Sequence, residues 1–181
     1  MKKIVLTLVV ALMAISAEAQ VYVGGSLGFG SGKGSLKDVD NDIKTTTFKI
    51  LPEIGYELDE SWSIGTVIGY EYSKLDETKV NTFSVAPYAR YSFFRSDLVR
   101  LFVDGGFGFS TAKVKGADDA LNSWNIGIKP GLAIRLSDNF CLVAKYGFLG
   151  YESSKYGEVK AHNFGLNLDT DALSFGFHYI F

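Results

Sequence analysis

Apolar and polar side chains alternate with period two along most of the chain from Val21 to Phe181. Such alternation sends one set of side chains to each face of a β-strand. The clearest stretch is the last. Leu173, Phe175, Phe177, Tyr179 and Phe181 share one face; Ser174, Gly176, His178 and Ile180 share the other. The same two-faced pattern predicts seven earlier strands: Val21–Gly30, Thr46–Leu58, Trp62–Ser73, Val80–Phe93, Leu98–Ser110, Trp124–Leu136 and Phe140–Phe148. Long polar connections are expected at Gly32–Thr45, Lys74–Lys79, Thr111–Ser123 and Gly150–Asp171, and short turns near Asp59, Ser96 and Asp138. Inside the last connection Phe164, Leu166 and Leu168 also alternate, with parity opposite to the final strand. That predicts an extension of the closing hairpin, with a bulge near Asp169 to Asp171.

Connections that alternate between long and short imply an up-and-down order, with all long loops at one end and all short turns at the other. Three segments share one frame: F-K-I-L-P-E-I-G-Y, F-S-V-A-P-Y-A-R-Y and I-G-I-K-P-G-L-A-I. Their prolines, Pro52, Pro87 and Pro130, each stand on the apolar face. A proline cannot donate to a sheet ladder, so each marks a bulge or a missing bond.

The apolar face of these strands carries no charge. The opposite face carries Lys49, Glu53, Glu57, Glu71, Arg90, Arg100, Asp104, Lys129, Arg135 and Lys145 among Gly, Ser and Ala. A soluble eight-stranded barrel needs the reverse, apolar inside and polar outside. Volume decides between the two. Eight strands enclose just enough room for modest side chains, and the Phe, Tyr, Trp, Ile, Leu and Val set would overfill it. With the apolar face toward lipid, bulk is unconstrained and the small residues relieve the lumen. Aromatics then fall into two belts. Trp62, Tyr91, Phe93, Phe140, Tyr179 and Phe181 form one; Phe48, Tyr70, Tyr72, Phe83, Phe107, Phe109, Trp124, Tyr146 and Phe148 form the other. The fold class expected is all-β: an eight-stranded antiparallel up-and-down transmembrane barrel.

The N-terminus changes the context. Lys2 and Lys3 precede an apolar run from Ile4 to Ile15, and Ser16-Ala17-Glu18-Ala19 follows. That is a secretory signal peptide, with cleavage between Ala19 and Gln20. The run is too short for a spanning helix of about 20 residues. One barrel domain is expected over 20–181. The composition of 20 Gly, 14 Phe and 10 Tyr favours strands over helices. Formal net charge is −2, and one unit more negative without Lys2, Lys3 and Glu18, which gives no basic footprint for nucleic acid. Cys141 is the only cysteine. It forms no intrachain disulfide and makes no metal site alone. No cofactor is expected.

The F-x-I-x-P-E-I-G-Y-x-L frame and the terminal F-G-F-H-Y-I-F carry a resemblance over the whole chain after the signal. The chain resembles the small outer-membrane β-barrel domain family of Gram-negative bacteria, of the eight-stranded OmpA/OmpX type. The resemblance implies an outer-membrane monomer. It also implies that Phe177, Tyr179 and Phe181 form the signal read by the barrel-assembly machinery during biogenesis. Both termini are expected with the short turns, on the periplasmic side. Family membership names a place more than a task.

Candidate chemistry is sparse. Inward charges of both signs are expected to pair and fill the lumen, which argues for a structural or surface-interaction role rather than a narrow channel for ions or small solutes. A lipid-modifying enzyme would need a nucleophile and a base at the lipid interface. His162, near Ser153 and Ser154, is the single weak pointer, and no enzyme is expected. The long loops are where an extracellular ligand would bind. G-S-G-K-G at Gly30–Gly34 lacks the spacing and the following helix of a phosphate-binding loop.

Overall fold

The computed structural model describes residues 20–34, 43–76, 78–116, 119–157, 159–168 and 174–181. The expected signal peptide lies outside them, up to Ala19; Gln20 is exposed. The bulge expected at Asp169 to Asp171 also lies outside. Strands are β1 (Val21–Gly34), β2 (Ile43–Glu57), β3 (Trp62–Leu75), β4 (Thr78–Arg95), β5 (Val99–Val114), β6 (Ala120–Arg135), β7 (Phe140–Lys145), β8 (Phe148–Tyr156), β9 (Val159–Asn167) and β10 (Ser174–Ile180).

These ten elements build eight wall strands. β7 and β8 are two halves of one: β7 pairs with Gly131–Arg135 of β6, and β8 with Leu121–Ile128. β9 and β10 are halves of the next, paired with β8 and β7 respectively. Every neighbouring pair is antiparallel. Tyr22–Ser26 of β1 pairs with Gly176–Ile180 of β10 and closes the ring. The result is the expected closed eight-stranded antiparallel barrel.

The strands run further than expected at the long-loop end. Lys74 pairs with Lys79 and Leu75 with Thr78, so the Lys74–Lys79 loop is a tight hairpin tip. β5 and β6 pair out to Lys113 and Ala120. Most of the expected Gly150–Asp171 loop is the β8–β9 hairpin, paired from Phe148–Asn167 to Tyr156–Val159. Polar composition misleads here. An antiparallel ladder can leave the membrane and continue in water, where polar residues on both faces cost nothing.

All three prolines interrupt a ladder on one side. β2 loses pairing to β3 at Leu51 and Pro52. β4 loses pairing to β5 at Ala86 and Pro87. β6 loses pairing at Lys129 and Pro130, where its partner changes from β7 to β8. At that last gap Tyr146 N–H still donates to the Pro130 carbonyl at 3.1 Å.

One side chain breaks the expected parity. Gly147, with φ of 80°, separates β7 from β8. The register then places Gly127 opposite Gly150 and Ile128 opposite Leu149, so Phe148 faces the lumen rather than the outer aromatic belt. Its ring lies against Gly127 and Gly150, where a Cβ would collide with it. The left-handed φ reverses the alternation, and glycine is the residue that takes it cheaply. The other members of the belts remain on the outer wall; Phe83, Phe109, Trp124, Trp62, Phe177 and Phe181 are all exposed there. Apart from Ser153, which is covered on the outer face between Trp124 and His162, the buried residues lie inside the ring. Phe102, Ala133 and Val143 form its small apolar cluster, set among charged, hydroxyl-bearing and glycine positions.

Candidate functional site

The polar interior is built by strand alternation and closed by charge. Glu53 of β2, Arg90 of β4, Asp104 of β5 and Lys145 of β7 point inward from four different wall strands and meet near mid-lumen. Arg90 donates Nε to Asp104 Oδ1 at 2.6 Å and Nη2 to Oδ2 at 3.0 Å. This bidentate fork is the strongest geometry that a guanidinium and a carboxylate make. The same Nη2 reaches Glu53 Oε1 at 3.2 Å. Lys145 Nζ donates to Glu53 Oε2 at 3.1 Å and stands 3.1 Å from Asp104 Oδ2. Two cations and two carboxylates balance. All four are buried or half-buried, with Arg90 only 2 % exposed.

Aromatics seal this quartet. Tyr22 donates to Tyr88 at 2.7 Å, and Tyr88 donates to Glu53. The order follows from the single phenolic proton of Tyr88, which is committed to the carboxylate. His178 stacks on Tyr22 with ring centroids 4.7 Å apart, and its Nε2 lies 3.3 Å from Glu53 Oε1. The Arg90 guanidinium carbon sits 4.0 Å from the centroid of Phe102, a cation–π contact sheltered from water. Room for these rings comes from glycines across the ladder. A Cβ at Gly55 would overlap Tyr22, one at Gly65 would collide with Tyr88, and one at Gly131 would overlap Phe102.

Further pairs lie on either side. Toward the short turns, Glu57 accepts from Arg100 and from Arg95 Nη2 at 3.3 Å. A cavity of about 30 Å³ opens there, lined in part by Glu57, Arg95, Arg100, Arg135 and Cys141. Arg135 makes no ion pair among the described residues. Toward the long hairpins, Lys49 and Glu71 pair at 2.8 Å. Lys129 Nζ rests 5.5 Å from the centroid of Phe148 instead of on a carboxylate.

Of the ten inward charges read from the sequence, four meet at the centre, Glu57 and Arg100 pair below, and Lys49 and Glu71 pair above. Lys129 and Arg135 join none of these pairs. Tyr22, Tyr88 and Arg95 complete the network beyond those ten charges, and His178, expected inward, joins it at Glu53. For the tyrosines a signal existed: a large residue at an inward position whose neighbours are nearly all Gly, Ser or Ala. Phe177, Tyr179 and Phe181 lie exposed on the outer wall.

The enzymatic pointer does not assemble. Ser153 stands directly opposite His162 in the β8–β9 register, yet no hydrogen bond joins them. His162 Nδ1 is instead 2.8 Å from the Tyr151 hydroxyl. Among the described residues no cluster of three or more His, Cys, Asp or Glu could hold a metal ion.

This wall and this lumen define a class, the transmembrane β-barrel. The family model for the outer membrane protein beta-barrel domain matches residues 4–181, and the chain belongs to that family. No curated protein matches. Among solved structures, Neisserial surface protein A is similar at 20 % identity and TM-score 0.50, covering 90 % of this chain and 96 % of that one. The Yersinia pestis outer membrane protein Ail is similar at 18 % identity and TM-score 0.46, covering 91 % of this chain and 100 % of that one. At 20 % identity the likeness to Neisserial surface protein A speaks to fold alone.

Proposed function

We propose that this protein is a non-enzymatic outer-membrane barrel whose filled wall is a rigid platform and whose long hairpins form a surface for interaction outside the cell. The observation that carries this reading is the quartet of Glu53, Arg90, Asp104 and Lys145, sealed by Tyr22, Tyr88 and Phe102. A lumen crossed at mid-height by paired charges and rings favours a plug over a channel, so transport is a poor use of it. What remains available is the hairpin end, where β5, β6, β8 and β9 extend beyond the outer aromatic belt. The termini and short turns then face the periplasm. Phe177, Tyr179 and Phe181 act during biogenesis as the address for the assembly machinery, and the folded product works as a monomer.

Orientation is open to a direct test. Lys115 lies in the β5–β6 hairpin tip and Asp138 in a short turn at the opposite end; both are exposed. In a Cys141→Ser background, Lys115→Cys on intact cells should react with a membrane-impermeant maleimide, and Asp138→Cys should react only after the outer membrane is breached. Labelling of Asp138→Cys alone on intact cells would reverse the proposed orientation.

A further inference from the structure

Every strand-borne carboxylate among the described residues faces the lumen: Glu53, Glu57, Glu71, Asp104 and Glu152. The outward faces beyond the outer aromatic belt are different. Their charged residues are all lysines: Lys74, Lys79, Lys113, Lys155 and Lys160 follow the outward parity of Tyr72, Phe83, Phe109, Tyr151 and Phe164. None of these five makes an ion pair among the described residues. Two pairs stand directly opposite each other across a ladder, Lys74 with Lys79 and Lys155 with Lys160. Like charges directly opposite destabilise a sheet. Two hairpins repeating the arrangement, with no strand-borne carboxylate on that face among the described residues, point to an anion supplied from outside the chain. Acidic residues stand in the turns at both ends, but the outward strand faces at the short-turn end carry no lysine, so the lysines are not a general feature of the rim.

Beside Lys155 and Lys160 runs a row of rings on the same outward face. Trp124 of β6 lies 5.2 Å from Tyr151 of β8, and Tyr151 stacks at 5.9 Å on His162 of β9. The Tyr151–His162 hydrogen bond fixes that pair. Below the rings the wall is apolar, with Ile126, Ile128, Leu149 and Leu166 exposed. Reading outward along the wall, the order is aliphatic, aromatic, cationic.

We propose that this face of β5, β6, β8 and β9 binds a phosphorylated glycolipid of the outer leaflet. Its acyl chains lie on the aliphatic wall, a sugar ring stacks on the Trp124–Tyr151–His162 row, and phosphate sits between Lys155 and Lys160 with Lys113 nearby. Sugar rings present apolar C–H faces to aromatics, and basic residues next to a bilayer surface draw anionic head groups. The assignment rests on the outward orientation of the hairpins proposed above. The maleimide labelling tests that orientation separately.

The chain has two tryptophans, Trp62 and Trp124, so Trp62→Phe leaves Trp124 as the sole reporter. The refolded W62F protein in phosphatidylcholine nanodiscs is titrated with lipopolysaccharide, with chemically dephosphorylated lipopolysaccharide and with phosphatidylglycerol. Trp124 emission should shift and saturate with lipopolysaccharide. The midpoint should weaken about tenfold or more with the dephosphorylated form and in K155Q/K160Q, given roughly 1 kcal/mol for each lysine near an anionic surface. Phosphatidylglycerol should leave the emission unchanged. An unmoved Trp124 signal with lipopolysaccharide, or an unmoved midpoint in K155Q/K160Q, overturns the site. An equal response to phosphatidylglycerol overturns the glycolipid assignment. Heat-dependent gel migration verifies that each variant is folded.

Discussion

Arg90→Met should destabilise the refolded barrel by about 3–5 kcal/mol, the cost of leaving buried carboxylates without their cation. Arg90 serves Asp104 through two hydrogen bonds and Glu53 through a third. Without it, two carboxylates face Lys145 alone. The informative comparison is R90M/D104N, which leaves Glu53 and Lys145 as a balanced pair in direct contact. Although it removes more native bonds, the double variant should recover more than half of the loss. Buried charge is costly chiefly when unmatched. Equilibrium denaturation in detergent or lipid vesicles measures both. A double variant weaker than the single one would show that the quartet stabilises through geometry rather than charge balance.

Gly24→Val should sharply impair closure of the ring. Gly24 faces the lumen and pairs with Glu53 on one side and His178 on the other. A Cβ there would overlap the Phe177 carbonyl oxygen and come within 2.7 Å of the His178 ring. The first obstacle is backbone of β10, which cannot swing aside as a side chain can. Overpacking that side chains can absorb costs about 1–3 kcal/mol, and this site should exceed that range. Gly30→Val is the control. On the same strand and face, its Cβ would find Thr47 Cβ at 3.9 Å, an ordinary contact. The fraction of refolded protein showing heat-dependent migration should fall sharply for Gly24→Val and stay near wild type for Gly30→Val. Equal yields would place closure elsewhere than the Tyr22–Ser26 seam.

Both predictions concern features that alternation alone does not reveal. Period two assigns each residue to the lumen or the outer wall, and that was legible for nearly every strand residue from Val21 to Tyr146. It does not say where around the lumen a side chain lands. Glu53 and Lys145 are 92 positions apart and meet because closure and strand tilt bring β2 and β7 across a narrow interior. No pattern in sequence announces that contact, whereas Lys49–Glu71 joins neighbouring strands and is simpler to foresee. Phe148 departs from the alternation because one left-handed glycine reverses parity, and Gly147 looks in sequence like the other small lumen residues. The hairpins run longer than polar composition predicts for a related reason. Beyond the membrane both faces meet water, so the contrast between alternate positions fades while the ladder continues.

The outer lysines illustrate the same limit. In sequence they belong to polar loops, where solvated charge needs no explanation. The register turns them into opposed pairs on one face, and only then does a shared anionic partner follow.

The filled lumen is the centre of this account, and planar-bilayer recording tests it most directly. Purified, refolded wild-type protein inserted into a bilayer should give no defined single-channel steps across the usual range of applied voltage. Reproducible unitary steps of constant size from the wild-type protein would contradict a lumen closed by Glu53, Arg90, Asp104 and Lys145.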